Sequence, residues 1–149
     1  MIAWKYINKN AATIAAMRDY GNMRYIVANT PDATKEVHNR MVSPRAATIT
    51  GMPTAQYGNA GSERLPEQID KIDAYRERYG AAVAYMEWFQ PAWFELDETE
   101  RHVLCEFYMS KSLNSGATYR LADEYSCSER KIDSMRYNAL KNLKTLLFG

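Results

Sequence analysis

Cysteines and long apolar runs are scarce in this chain of 149 residues. The two cysteines, Cys105 and Cys127, are too few for a disulfide scaffold and predict a reducing, cytoplasmic setting. No apolar run approaches the ~18 residues of a membrane-spanning helix, and the first ten residues lack the apolar stretch of a signal peptide. We therefore expect no membrane association. The net charge of +1 provides no overall basic field.

Residues that carry catalysis or bind metals are also sparse. The two histidines, His38 and His102, are not spaced with other ligands in the manner of a zinc site. No phosphate-binding glycine loop is present, and no spacing of Ser, His and Asp indicates a catalytic triad. Both cysteines are interpreted as small packing residues rather than nucleophiles. The sequence predicts a protein that is not an enzyme and that has no metal and no cofactor.

Charge is distributed unevenly along the chain. Residues 1–62 hold seven basic and three acidic side chains, residues 63–100 hold four and ten, and residues 101–149 hold eight and five. This uneven distribution of charge indicates regions of the chain with different roles. The alternative is that it arises by chance, because the windows are short.

Apolar residues recur at helical spacing along the chain and predict an all-α fold. In the first helix this spacing is four, three and four residues, and Thr30-Pro31 predicts a break or kink near Asn29, with the threonine as the cap of a new helix. Residues 42–62 contain two prolines and three glycines without an apolar period, and predict a long connection. The residues of the first apolar face are Ala16, Tyr20, Met23 and Val27.

A second long helix is predicted from Ser62-Glu63 onward, with Pro66 in its first turn. Its apolar face is expected to pack antiparallel on the first helix, so that residues 1–94 form an amino-terminal helical hairpin. Self-association through the same face is the alternative. The face repeats at three and four residues and is interrupted by an arginine: Ile69, Ile72, Arg76, Tyr79, Val83 and Met86.

Gln90-Pro91 is expected to end or bend this second helix. Four large aromatic residues surround that point, and we interpret them as a core hinge between two parts of the protein rather than as a ligand cage. They are Trp88, Phe89, Trp93 and Phe94.

Residues 95–149 predict a DNA-binding domain that contains a helix-turn-helix. Asp97 and Glu100 have the spacing of a capping box, an apolar stripe of Val103, Leu104, Phe107 and Tyr108 follows, and residues 114–116 are expected to stop that helix. Thr118 then begins a short helix, Ser126-Cys127 breaks it, and Ser128 caps the last helix. Ser126 occupies the position at which such a turn usually has glycine. Six residues have the size that the motif packs inside: Leu121, Ala122, Tyr125, Cys127, Ile132 and Met135.

On a helical wheel the last helix has an apolar side and a cationic side. The cationic side suits double-stranded DNA, because Lys and Arg neutralise phosphates and Arg binds guanine in the major groove. A solvated helix face is the alternative, and Glu129 and Asp133 beside it repel phosphate. Arg136 lies at the edge of the apolar side, where we expect snorkelling or an ion pair. The expected inward residues are Ile132, Met135, Ala139, Leu140, Leu143, Leu146 and Leu147; the expected DNA-binding residues are Thr118, Tyr119, Arg120, Ser128, Arg130, Lys131, Ser134, Tyr137 and Lys141, with Lys144 nearby.

These residues resemble a known family. The stretch from Leu96 to Leu104 reads L-x-x-x-E-R-x-V-L, and with Tyr119 to Ala122, Ser126 to Ile132 and Asn138 to Leu143 it resembles the carboxy-terminal region 4 domain of bacterial sigma factors. The whole layout, with Met52-Pro53 and an acidic helix after it, is similar to phage and prophage sigma-like regulators of the ArpU and RinA type.

The resemblance implies promoter DNA binding and transcriptional control of phage genes. Because one such helix gives weak specificity, a second unit is expected, supplied either by a homodimer or by RNA polymerase. Two other functions stay open. One is a small terminase subunit for DNA packaging, in which the helical hairpin assembles a ring; the other is a protein-interaction module that does not bind DNA.

Overall fold

All regular structure in the described part of the chain is helical. The computed structural model describes residues 7–42, 66–110 and 116–149. Its helices are α1 (Lys9–Asn29), α2 (Asp32–Val42), α3 (Pro66–Glu95), α4 (Glu98–Leu104), α5 (Ala117–Glu124) and α6 (Glu129–Phe148), and a π-helical turn, Cys105–Met109, continues α4. The predicted all-α fold is confirmed. Within these ranges, no helix combines the length and the apolar character that crossing a bilayer requires.

The predicted break between α1 and α2 is confirmed. Pro31 has no N–H to extend α1, and α2 begins directly after it. Thr30 does not occupy the cap position predicted for it, because α2 begins at Asp32 and Pro31 is the residue before it. The hydroxyl of Thr30 donates backward to the carbonyl of Ile26. The carbonyl of Pro31 instead accepts the N–H of Lys35 at 3.2 Å and so starts the new helix. The rest of the connection predicted at 42–62, including Met52-Pro53, and the predicted helix start at Ser62-Glu63 lie outside the described residues, apart from Val42.

The chain divides into two compact units, and the boundary differs from the one predicted between residues 94 and 95. One unit contains the described residues of Met1–Met23 and Tyr85–Gly149; the other contains those of Arg24–Ala84. The first unit thus includes the beginning of α1 and the end of α3 together with α4, α5 and α6. The predicted hairpin of residues 1–94 stays a prediction.

In the second unit, α2 contacts α3 at a glycine. The ring of His38 lies edge-on to the ring of Tyr79, with centroids 5.3 Å apart. A Cβ atom on Gly80 would meet the His38 ring at 3.1 Å, so the glycine allows this close approach. His38 is therefore a packing residue of this unit.

Burial along α3 agrees with the predicted apolar face at Tyr79 and Met86 and departs from it at other positions. Ala82 is buried, whereas Val83 is half-buried and Ile72 is exposed. The buried residues also recur at steps of three and four, and Ala82 and Val83 both lie within such a step of Tyr79, so the spacing alone does not decide which of the two is buried. From Asp70 onward, the buried residues of α3 are Tyr79, Ala82, Met86, Phe89, Ala92 and Trp93.

Pro91 does not end α3, which continues to Glu95. The proline lies on the exposed side of the helix, whereas Phe89, Ala92 and Trp93 are buried. We attribute the continuity of α3 to this burial, because it stabilises the helix across the one hydrogen bond that proline cannot donate.

The aromatic residues around Pro91 divide between the core and the surface. Phe89 is 0% exposed and its ring stacks on Trp93 with centroids 5.8 Å apart. Phe94 is 60% exposed, and the guanidinium carbon of Arg101 lies 5.7 Å from its ring centroid. The interpretation of all four as core is therefore wrong for Phe94, and Trp88 is also partly exposed.

The first unit contains two hydrophobic clusters. We call the larger one the core cluster; it joins α1 and α3 to α4 and α6. The smaller one, the turn cluster, joins α4 and its π-helical turn to α5 and α6. The buried members of the core cluster are Ala16, Met17, Phe89, Ala92, Trp93, Leu96, Leu104, Ala139, Leu143 and Leu147; those of the turn cluster are Val103, Phe107, Ala117, Leu121 and Ile132.

The start of α4 agrees with its prediction and its end does not. The N–H of Asp97 donates to the carboxylate of Glu100 at 3.2 Å, the return half of the expected capping box. The helix does not run to residues 114–116, because its π-helical turn ends at Met109 and Ser110 is extended. Gly116 precedes α5 instead, and residues 111–115 lie outside the described residues.

The different exposure of Phe89 and Phe94 predicts unequal losses of stability in two matched substitutions. Phe89→Ala removes a fully buried ring and is expected to lower the free energy of unfolding by about 3–5 kcal/mol. Phe94→Ala removes an exposed ring and is expected to lower it by less than about 1 kcal/mol. Chemical denaturation of both variants measures the difference. Equal losses would mean that Phe94 belongs to the core.

Candidate nucleic-acid interface

The candidate interface is built on α5 and α6, which are separated by residues 125–128. Gly116 has a φ of 114° and occupies the cap position before α5, a conformation that disfavours residues with a Cβ. The helix begins at Ala117, which is fully buried, one residue earlier than predicted. Thr118 is therefore the second residue of α5.

The turn between the two helices depends on Ser126. This serine has a φ of 51°, the left-handed region, and no other non-glycine residue in the described ranges has a positive φ. The N–H of the next residue, Cys127, then donates to the carbonyl of Ala122 at 3.0 Å and closes the turn. Ser126 thus adopts the conformation of the glycine that the sequence lacks here.

Ser128 starts α6 as predicted. Its side-chain oxygen accepts the N–H of Lys131 at 3.3 Å, which satisfies one of the unpaired donors of the first turn. A contact from Ser128 to a DNA phosphate would use its hydroxyl proton, since phosphate oxygens accept hydrogen bonds.

The six packing positions predicted for the turn meet in one cluster. Leu121 and Ile132 are fully buried members of the turn cluster. Ala122, Tyr125, Cys127 and Met135 are partly buried and pack against it. The packing prediction is confirmed for all six residues.

The inward side of α6 is confirmed except at one residue. Ile132, Ala139, Leu143 and Leu147 are buried, but Leu146 is exposed. Ala139, Leu143 and Leu147 are four residues apart and lie on the buried side of the helix. Leu146, three residues after Leu143, lies outside that side.

The opposite side of α6 is polar, cationic and exposed. Arg130, Ser134, Tyr137 and Lys141 share one face at intervals of four, three and four residues, and the side chain of Tyr137 is 67% exposed. Lys131 is exposed beside them. Among the described residues, no acidic side chain lies within ion-pair distance of Arg130, Lys131 or Lys141.

One exposed residue of this face was not predicted. Asn138 lies four residues after Ser134 and is exposed. Its amide can bind adenine through two hydrogen bonds. The helical spacing was a sufficient signal for it, since the i, i+4 rule places it beside Ser134.

The far end of the face borders an acidic groove. Lys141 lines this open groove with Glu95, Glu100 and Leu146. The side-chain amide of Asn142 donates to the carboxylate of Glu100 at 2.6 Å. Negative charge near Lys141 weakens its attraction for phosphate, so the start of α6 is the more favourable end for an anionic ligand.

The predicted α5 residues differ in their environment. Tyr119 is exposed and Thr118 is half-buried. Arg120 is held in an ion pair, since its Nη2 atom lies 3.3 Å from the carboxylate of Glu106 on the π-helical turn. Glu106 lies fourteen residues earlier in the chain, and no local sequence pattern relates it to Arg120.

Arg136 makes an ion pair, one of the two alternatives expected for it, and also a cation–π contact that was not predicted. Its guanidinium carbon lies 4.7 Å from the centroid of the Phe107 ring, and its Nη2 atom lies 3.7 Å from a carboxylate oxygen of Asp133. The arginine covers the turn cluster and is occupied by intramolecular contacts.

His102 of α4 has a bridging role, and Cys105 of the π-helical turn has a packing role. The Nε2 atom of His102 lies 3.0 Å from the carboxylate of Glu124, which links α4 to α5. Burial raises the pKa of the Cys105 thiol above its usual value, with the nearby Glu106 adding to the effect. A thiol with a raised pKa is less often the reactive thiolate. The described ranges hold no group of three or more His, Cys, Asp or Glu side chains suited to a metal ion.

Comparison with known proteins yields no match to a family model, to a curated protein or to a solved structure. The chemistry of the α5–α6 surface is therefore argued from its own side chains.

The conformation of Ser126 predicts a stabilising substitution. Ser126→Gly is expected to raise the free energy of unfolding by about 0.5–1 kcal/mol, because glycine adopts a positive φ without the Cβ penalty. Ser134→Gly, in the exposed middle of α6, is the matched control and is expected to lower it by roughly 0.5 kcal/mol. Denaturant midpoints measure both. A midpoint for Ser126→Gly at or below that of the unsubstituted protein would contradict the strain at this turn.

Proposed function

We propose that this chain is a cytoplasmic transcriptional regulator that binds specific double-stranded DNA through α5 and α6 and has no enzymatic activity. The observation that carries the proposal is the division of α6 into a buried apolar side and an exposed side with Arg130, Ser134, Tyr137, Asn138 and Lys141. This helix follows a four-residue turn, the position of a recognition helix in helix-turn-helix proteins. The resemblance to phage and prophage sigma-like regulators is in keeping with the same use of this helix.

In this proposal the side chains of α6 have different roles along its length. Arg130 lies in the first turn, where recognition helices contact base edges, and reads guanine. Asn138 reads adenine from the same face. Lys131 and Lys141 neutralise phosphates, which adds affinity without sequence preference.

The other polar residues of the motif fix its orientation. Thr118 and Tyr119 in the first turn of α5, and the hydroxyl of Ser128, contact the DNA backbone. Glu129 and Asp133 reduce the attraction for phosphate, or accept a hydrogen bond from the amino group of cytosine.

A second DNA-contacting unit completes the proposal, because one recognition helix contacts few bases. The compact unit of Arg24–Ala84 has exposed apolar side chains that support self-association, among them Tyr25, Met41 and Tyr75. RNA polymerase is the other candidate partner. A small terminase subunit would use the same unit to build a ring.

DNA binding is tested with duplex fragments of the genome that encodes the protein, at several salt concentrations. The logarithm of the affinity should fall by roughly 0.9 per logarithm of salt for each phosphate contact, with about three to six contacts per protein. Arg130→Ala should weaken binding to the preferred site by about 1–3 kcal/mol and relax the preference at one base pair. Lys141→Ala should weaken all duplexes alike and lower the salt slope by about one unit.

Lys71→Ala is the control for the loss of a cation, because Lys71 is exposed on α3 in the other compact unit. It should leave affinity and slope unchanged. Equal weakening of specific and random DNA by Arg130→Ala would mean that α6 contacts only the backbone. Affinity that does not change with salt would contradict DNA binding by this face.

The oligomeric state separates the regulator from the packaging protein. We expect a monomer or a dimer in solution, because a two-fold pair presents two recognition helices to two half-sites. Light scattering with the purified chain measures the mass directly. A ring of about eight or more copies would contradict the regulator and favour the small terminase subunit.

A further inference from the structure

The ion pair between Arg120 and Glu106 involves a cation that the sequence predicts to bind DNA. Arg120 lies in the first half of α5, and its Nη2 atom lies 3.3 Å from Oε2 of Glu106. Its other terminal nitrogen, Nη1, lies 3.7 Å from the position that a Cβ atom on Gly116 would take. The guanidinium therefore extends back over the beginning of α5, the end of the helix that faces phosphate in the proposed complex.

Both partners of this ion pair are accessible to a ligand. The side chain of Arg120 is 47% exposed and that of Glu106 is 30% exposed. Ion pairs this exposed contribute little to stability, because water and salt screen the attraction. A phosphate diester binds a guanidinium with the same paired geometry as a carboxylate, so the two anions compete for one site on Arg120.

We propose that Glu106 is an internal competitor for DNA: it occupies Arg120 in the free protein and is displaced by a backbone phosphate in the complex. This inference rests on the proposed function. It makes Glu106 a residue that limits affinity for DNA without contacting it. Arg120 differs in this respect from Arg130 and Lys131, which have no acidic partner among the described residues.

The exchange does not require α5 to leave its place. A second bridge joins the same two parts of the chain, because His102 on α4 contacts Glu124 on α5 at 3.0 Å. Leu121 of α5 is also fully buried in the turn cluster with Val103 of α4. When Arg120 changes partner, these contacts keep α5 packed.

The second bridge supplies a matched control. Glu124 is acidic like Glu106 and bridges α5 to α4, which the π-helical turn of Glu106 continues, but its partner His102 is not a proposed DNA contact. Glu106→Gln and Glu124→Gln remove one negative charge each from the same domain. Only Glu106→Gln releases a cation of the proposed interface.

The test measures binding to a short duplex of random sequence over a range of salt, so that no target sequence is needed. Glu106→Gln is expected to bind several-fold more tightly than the unsubstituted protein in low salt. Its salt slope should match that of the unsubstituted protein, because Arg120 contacts the same phosphate in both complexes. Glu124→Gln should raise affinity less and leave the slope unchanged. The double variant Glu106→Gln with Arg120→Ala should lose the gain in affinity and have a slope lower by about 0.9, the value of one phosphate contact.

The outcomes separate this inference from the function on which it rests. If the unsubstituted protein binds the duplex and Glu106→Gln matches Glu124→Gln in affinity, the competition is overturned and DNA binding stands. If Glu106→Gln lowers the melting temperature without a gain in affinity, the pair is only a tether between helices, and the inference is overturned. Glu106→Ala repeats the measurement with a different side chain. If the unsubstituted protein binds no duplex at any salt, both proposals fail.

Discussion

Two consecutive residues of α4 divide the interior of the larger compact unit. Val103 and Leu104 are both fully buried, but Val103 packs in the turn cluster and Leu104 in the core cluster. Successive residues of a helix point about 100° apart, so a short helix can line two interiors only if it lies between them. α6 completes both, with Ile132 in the turn cluster and Ala139 and Leu143 in the core cluster. The contact between α4 and α6 is therefore the constraint on which the rest of this unit depends.

That constraint determines which side of α6 faces outward. Because Ile132, Ala139 and Leu143 are held inside, the residues half a turn away from them are exposed, and these are the polar and cationic ones. The cationic side chains near the helix then differ in whether they make intramolecular contacts. Arg136 is stacked on Phe107, Arg120 is paired with Glu106, and Arg130 has no acidic partner among the described residues. The available positive charge is thereby concentrated at the beginning of α6.

Local features of the fold were predictable from the sequence, and distant contacts were not. The capping box at Asp97, the cap at Ser128 and the break at Pro31 each depend on residues within four positions of one another. The exposure of Phe94 and Leu146 depends on which side of a long helix meets another element, and single-residue errors of register accumulate along such helices. The same holds for Pro91, where burial on the opposite side keeps α3 continuous. In the candidate interface, spacing predicted the exposed face of α6, but Glu106 is distant from Arg120 in sequence and only the folded chain brings them together.

The π-helical turn Cys105–Met109 determines where this pairing occurs. The N–H of Ser110 donates to the carbonyl of Cys105 at 2.8 Å, a bond that spans five residues instead of four. The turn therefore holds one more residue than an α-helical turn of similar length. Deleting one residue here would restore the α-helical period and turn Phe107 and Glu106 to other sides of the helix. In an alignment of related chains, a one-residue gap at this turn would thus mark a protein with a differently arranged surface, even where every other position agreed.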